Sequence, residues 1–389
     1  MVGGGPAGVM TGFLLARAGI SVKILEKHAD FFRDFRGDTV HPSTMEILDQ
    51  LGLLDRFLQR PHERVNRATI RIANREWTIG DLSHLRTAAP FIAMMPQWEF
   101  LDFLRDQAVG FPGFALEMAS EVTGFVERDG RIAGVRLADG RELTADLVIA
   151  ADGRSSLARD LLPVETLGAP MDVFWFRIDK DSESGEALRA SVASGRMVVL
   201  IDRRNYWQVA FLVPKGGAEK VKARGIDWIS DEVAAAFPDL ALGRLNSRDD
   251  LHLLTVALDR LTTWHRPGLL AIGDAAHAMS PVGGVGINLA IQDAVCAANV
   301  LAAPLRAGCD PDPLLAQVQQ RRMLPTRLIQ AGQRAAHERV LAPLLAGKLK
   351  TTRAPLALRL FNAVPVLRRL PGRVIGLGFR REHVRSPLA

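Results

Sequence analysis

Leu269-Leu270-Ala271-Ile272-Gly273-Asp274-Ala275-Ala276-His277 runs on through Pro281, Gly284 and Gly286 to Asn288 and Asp293. It opens with four apolar residues, enough for a short buried strand, and places Gly273 and Asp274 where that strand ends. A glycine-rich loop follows, then an Ala-rich run from Leu289 to Ala303 that reads as a tightly packed helix stopped by Pro304. A helix start of this kind presents unpaired backbone N–H groups and a partial positive charge. The carboxylate before it can accept hydrogen bonds from a polyol. The glycine loop lets a flat ring lie against the backbone. Together these are the parts of a cofactor site.

Upstream, Met1 to Lys27 reads as a βαβ unit. Gly3-Gly4-Gly5-Pro6-Ala7-Gly8 fits G-x-G-x-x-G, Gly19 closes the helix, and Ser21 to Leu25 is the next strand. Glu26, followed by Lys27, stands at that strand's end, where an acidic residue holds an adenosine ribose. Only Met1 and Val2 precede the glycines, so a gap is expected in the middle of the parallel sheet.

Arg36 follows in a loop, where a solvated arginine and a cofactor contact are equally good readings of the spacing. Ser43 with Glu46 has the capping-box pattern at the head of a helix reaching Leu51. Pro96-Gln97-Trp98 leads into a helix over Glu99 to Ala108, and residues 117–147 read as a β-meander with turns at Asp129-Gly130 and Asp139-Gly140. The run Asp146 to Ala151 is a buried strand delivering Asp152-Gly153, a second candidate cofactor contact. Between Ala169 and Leu261 the strand-like runs 173–178, 197–201 and 206–212 gather many of the aromatic residues. Beyond Pro313 the chain reads as helical, with Pro325 a kink and a basic, apolar-rich tail.

The composition narrows the function. The 389 residues carry a net charge of +6, but the arginines are scattered and aromatics are only 6%, which favours an anionic small molecule over nucleic acid. Cys296 and Cys309 give neither a disulfide framework nor a metal cluster, and a reducing cytoplasm fits. No uncharged apolar run is long enough to span a bilayer, so an integral membrane protein is not expected. Val9 to Ala18 lacks the basic flank of a signal peptide. A peripheral membrane contact through the C-terminal tail stays open beside packing of that tail on the domain.

Gly3-x-Gly5-x-x-Gly8 with Glu26, then Asp152-Gly153, then Gly273-Asp274 with its glycine loop resemble, in this order, the flavin-dependent aromatic hydroxylases. These are the single-component FAD monooxygenases of the p-hydroxybenzoate hydroxylase type. The resemblance implies an α/β (α+β) fold in which a Rossmann-like FAD-binding domain (1–67, 94–168, 262–345) is interleaved with a β-rich substrate domain (68–93, 169–261). A helical C-terminal region (346–389) follows.

The resemblance assigns Gly3, Gly5, Pro6, Ala7 and Gly8 to the FAD pyrophosphate, and Glu26 and Lys27 to the adenosine end. Arg36 and Gln97 become FAD contacts, and Asp152 and Gly153 serve FAD and the NADPH or NADH donor. Gly273 and Asp274 hold the ribitol, and Gly286, Ile287 and Asn288 lie by the pyrimidine ring. Pro281 and Gly284 border the oxygen and flavin site, and Tyr206, sharing a face with Gln208, is a candidate substrate contact. His277 is read as a packing and hydrogen-bonding residue rather than a base, and His41 stays open between such roles. No metal is expected. The implied reaction uses NAD(P)H and O2 to hydroxylate an apolar, aromatic or polyketide-like small molecule through a flavin hydroperoxide. An FAD-dependent reductase, a halogenase and a non-catalytic flavoprotein are the rivals on this architecture.

Overall fold

The computed structural model describes residues 1–32, 39–72, 75–180, 188–193, 195–203, 205–348 and 356–389. Arg36 lies outside them.

Short runs build a parallel sheet, and two of them, Val148–Ala150 and Leu269–Ala271, are fully buried. Val22–Leu25 pairs with Phe114–Glu117, and Val148–Ala150 pairs with Leu269–Ala271. Val2 stands between the two pairs and bridges both Leu25 and Ala150. Its N–H donates to the Ile149 carbonyl at 2.9 Å, and its carbonyl accepts from Ala151 at 2.8 Å. The expected gap is therefore spanned by a single residue. The helix Pro6–Arg17 packs against the helices Gly286–Arg306 and Gln97–Ala108.

Three local expectations are corrected. The helix expected from Ser43 begins at Pro42, with His41 as its N-cap and no side-chain capping bond. Proline costs nothing at this first position, whose N–H has no intrahelical partner, and Glu46 pairs with Arg381 at 2.6 Å instead of closing a capping box. The Ala-rich helix starts at Gly286, three residues early, because the apolar run marks its packed part and not its first turn. Pro304 lies inside its last turn, and the stop comes at Gly308 (φ +69°), whose neighbour Cys309 donates back to the Pro304 carbonyl at 2.9 Å. This helix is also long and apolar enough to cross a membrane by length and composition, but its apolar window is 78% buried within the fold.

A second, seven-stranded sheet runs in the order His252–Leu254, Met171–Asp179, Tyr206–Pro214, Arg196–Asp202, Leu188–Ala193, Arg67–Ile72 and Arg75–Asp81. Strand alternation divides its residues between two faces. Phe174, Phe176, Trp207 and Phe211 pack under the helices Ala218–Ala223 and Ile226–Ala236. On the other face Val173, Trp175, Val199 and Leu212 share an apolar cluster with Val282 of the glycine loop and with Leu341 and Leu344.

A buried charged network joins these parts. Asp293, fully buried, accepts from Arg322 Nε at 2.8 Å, from the Gly273 N–H at 3.1 Å, and bonds His277 Nε2 at 2.6 Å. Burial alone would raise its pKa, but His277 and Arg322 outweigh that and hold it below the usual carboxylate range. Arg322 lies 3.8 Å from Glu382, which is also buried and pairs with Arg321 at 2.6 Å. Glu382 belongs to an extended C-terminal segment, residues 378–389, whose Ser386 carbonyl accepts from Arg17 at 3.2 Å. At its end the Ala389 N–H donates to the Arg17 carbonyl at 3.0 Å.

Replacing Arg322 by Leu takes from the buried Asp293 carboxylate its guanidinium partner, so R322L should lose about 3–5 kcal/mol of stability. Denaturant unfolding of R322L against the parent protein measures this.

Candidate functional site

The ends of the parallel strands and the starts of two helices converge on one place. Helix Pro6–Arg17 begins at Gly5 with no side-chain cap, so its positive end is open. A Cβ on Gly8 would stand 2.0 Å from the Gly3 carbonyl oxygen, so only glycine lets the helix pack this tightly on the turn. Ala7 is buried under Gly273, whose Cβ would stand 3.0 Å from that of Ala7, and Pro6 is half-buried. Glu26 accepts from the Gly4 N–H at 2.9 Å and from the His28 N–H at 3.1 Å. Burial pushes its pKa up, but the His28 and Gly4 hydrogen bonds outweigh this and hold it low, so it stays a carboxylate. Lys27 beside it is exposed, and half-buried Gln97 begins the helix Gln97–Ala108.

The strand Val148–Ala150 delivers Asp152 to the same edge. One Asp152 oxygen accepts from the Leu157 N–H at 3.2 Å, and the other is buried without a partner among the described residues. Burial raises its pKa. Gly153 follows in the left-handed region at φ +84°. Arg154 then reaches across to Asp274, with Nε 3.2 Å from the carboxylate and Nη2 3.2 Å from the Met279 carbonyl, while its buried Nη1 has no partner among the described residues. Arg159 donates to the carbonyls of Asp274 and Ala275 at 2.9 and 3.1 Å and to Asp259 at 2.9 Å. Two arginines thus hold the Asp274 turn. Neither arginine was given a role from the sequence, although arginines two and seven residues past Asp152 were the available signal.

In the glycine loop, Gly284 has φ +61°, and a Cβ there would fall 2.4 Å from the Thr39 hydroxyl. Asn288 joins this loop to the segment before the Pro42 helix. Its amide donates to the Thr39 and Gly284 carbonyls, both at 3.2 Å, and its oxygen accepts from the His41 N–H at 2.8 Å and the Thr44 hydroxyl at 2.7 Å. All four bonds of the amide are used. Asn288 can therefore offer a ligand only its backbone, and the helix start at Gly286 and Ile287 has no side-chain cap, so its first N–H groups are without intrahelical partners. Half-buried Pro281 borders the same loop. His41 is fully buried with Nδ1 2.8 Å from the Ile375 carbonyl, and burial lowers its pKa to about 4.

Tyr206 stands apart from this convergence. Its ring lies under the Arg177 guanidinium at 4.7 Å, and it sits six residues, or about 20 Å, along its strand from Leu212, which shares the Val282 cluster. Trp175 and Val199 lie in that cluster instead, and the Trp175 indole N–H is buried without a partner among the described residues.

The donor set fits FAD. Two uncapped helix starts suit a pyrophosphate and an electron-rich ring edge, and the carboxylates of Glu26 and Asp274 suit sugar and ribitol hydroxyls. Gly3, Gly8, Gly273 and Gly284 leave the backbone bare where these groups would lie.

Residues 1–332 match the family model described as FAD binding domain. The chain is 32% identical over 404 aligned positions to the 6-methylpretetramide 4-monooxygenase of Streptomyces rimosus, spanning 100% of this chain and 94% of that one. It is 26% identical to the pentachlorophenol 4-monooxygenase of Sphingobium chlorophenolicum across 91% of this chain and 67% of that one. In fold it is similar to aklavinone-11 hydroxylase, solved as a ternary complex with FAD and aklavinone, at a TM-score of 0.75 and 22% identity over 92% of this chain and 71% of that chain. The chain belongs to the FAD binding domain family and is an FAD-dependent monooxygenase that takes its electrons from a reduced nicotinamide cofactor.

Proposed function

We propose that this enzyme hydroxylates a planar, apolar aromatic substrate of the polyketide kind. One observation carries the reading: the apolar sheet face of Trp175, Val199 and Leu212 is closed by Val282, the residue next to Pro281. A flat apolar molecule on that face would lie against the glycine loop. The relatives named for pretetramide, chlorophenol and aklavinone support the same class. The balance is substrate, O2, NAD(P)H and a proton giving hydroxylated substrate, NAD(P)+ and water. Bound FAD supplies the redox and oxygen chemistry. The chain's residues bind, orient and exclude water.

In this reading Gly3, Gly5, Pro6, Ala7 and Gly8 receive the pyrophosphate at the helix start, and Glu26 receives the ribose. Lys27, Gln97, Asp152 and Gly153 line the same groove. Asp274, one-third exposed and steered by Arg154, takes the ribitol. Gly286, Ile287 and Asn288 present backbone N–H groups to the ring, and Pro281 and Gly284 keep water from its reactive edge. Arg36 remains assigned to FAD by resemblance alone. Segments 1–67, 94–168 and 262–345 form the FAD-binding unit, and 68–93 with 169–261 the substrate unit. We place the enzyme in the cytoplasm. The exposed Leu356, Leu360, Val366 and Leu370, set among exposed Arg359, Arg369 and Arg373, give it a peripheral contact with anionic membrane surfaces.

Three measurements test this. Purified enzyme given NADPH or NADH and aromatic polyketides should yield a product heavier by one oxygen atom. FAD reduction with an unoxygenated product would overturn the hydroxylase reading. Asp274→Ala should weaken FAD binding about 10–100-fold, the loss of one or two hydrogen bonds to a charged group, in a flavin fluorescence titration. Sedimentation with phosphatidylglycerol vesicles should capture the holoenzyme and fail for the Leu360→Asp, Leu370→Asp double variant. Equal capture of the two would remove the tail from the contact.

A further inference from the structure

The helix Asp312–Ala336 and the residue after it bury five polar side chains and leave two leucines exposed. Arg322, Thr326, Gln330, Gln333 and His337 follow at spacings of four, four, three and four, so they share one helix face, and each is at least 94% buried. Leu324 and Leu328 are 52% and 41% exposed. Ordinary amphipathic packing gives the reverse.

The reason lies in what this face covers. Among the described residues, the strand His277–Ala278 pairs with Asp259–Leu261 on one side only, and beyond it Ser280 to Val282 has no strand partner. Buried backbone groups without a ladder need other partners. Gln330 donates to the carbonyls of Asp259 and Ala278 at 2.7 and 3.3 Å. Gln333 accepts from the Ser280 N–H at 3.1 Å and donates to the carbonyls of Ser280 at 3.0 Å and Val282 at 2.9 Å. His337 Nε2 bonds the Ser280 hydroxyl at 2.8 Å, and that hydroxyl accepts from the Val282 N–H at 3.3 Å. One amide and one imidazole thus fix the backbone on both sides of Pro281. A π-helical turn over His337–Leu341 then rotates the chain, so that Leu341, Leu344 and Leu345 enter the apolar cluster shared with Val282.

We propose that Gln333 and His337 are positioning residues that set Pro281 and Val282 against the flavin and the substrate, and so decide whether reducing equivalents reach the product or are lost as hydrogen peroxide. This rests on the reading that places Pro281 beside the flavin. The helix acts through the loop and touches neither ligand.

The test uses FAD-loaded His337→Leu, His337→Gln, Ser280→Ala and Pro281→Ala enzymes. Two readouts are followed: the visible circular dichroism of the bound flavin, and the peroxide formed per NAD(P)H oxidised with substrate present. H337L and S280A should alter the flavin signal and raise the peroxide yield about fivefold, the factor that one lost buried hydrogen bond represents. H337Q, whose amide can donate to or accept from the Ser280 hydroxyl, should move both back toward the parent values. If P281A changes both readouts while H337L and S280A match the parent, the inference is overturned and the placement of Pro281 stands. If P281A also matches the parent, the placement itself fails. Should H337L not fold, S280A, which removes a single oxygen atom, decides on the same two readouts.

Discussion

A carboxylate sealed from water has to find all of its partners inside the protein, and Asp293 finds them in three separate parts of the chain. The Gly273 turn, the His277 strand and the Asp312–Ala336 helix each supply one. None of the three can shift without leaving charge in an apolar interior, where its cost is several kcal/mol. Such a cluster contributes little net stability compared with well-packed apolar residues. It does fix one arrangement of the turn that carries Asp274, the residue on which the cofactor reading turns.

Around that fixed turn, labour is divided in a consistent way. Side chains hold the backbone, and the backbone is what a ligand would meet. Asn288 uses its whole amide on the glycine loop, Arg159 grips the carbonyls of residues 274 and 275, and Glu26 holds the Gly4 N–H. A groove lined by main chain tolerates a large, flat cofactor because nothing long needs to move aside. Its cost is that the main chain must be pinned from behind, which explains how many buried polar side chains stand just outside the groove.

What the sequence discloses follows from this division. Gly3 to Gly8, Asp152-Gly153 and Gly273-Asp274 are legible because a backbone that must approach a ligand or turn with positive φ leaves glycine as a local mark. The strands over Val173–Ile178 and Tyr206–Leu212 are legible from their apolar and aromatic runs. The pinning residues leave no such mark. Arg322, Thr326, Gln330, Gln333 and His337 look like the wet face of an amphipathic helix, and only tertiary contact turns that face inward. Ser43 and Glu46 mislead for the opposite reason: a real local pattern was displaced by Pro42 and by Arg381, a partner more than three hundred residues away. The distance of Tyr206 from the Val282 cluster depends on where along a long strand the second sheet meets the loop, which strand periodicity does not encode.

The extended segment that carries Glu382 gives the fold a direction in time. Arg17 in the first helix and Gln292 in the Ala-rich helix both bond to it, and it is synthesised more than three hundred residues after the glycine turns that it helps to secure. The glycine turns at the start are made first, yet the charge network behind them is complete only when Glu382 has docked. Until then Arg321 and Arg322 lack that carboxylate. A growing chain therefore holds this groove in an unfinished form until residues 378–389 have been made, and that segment acts as its closing latch.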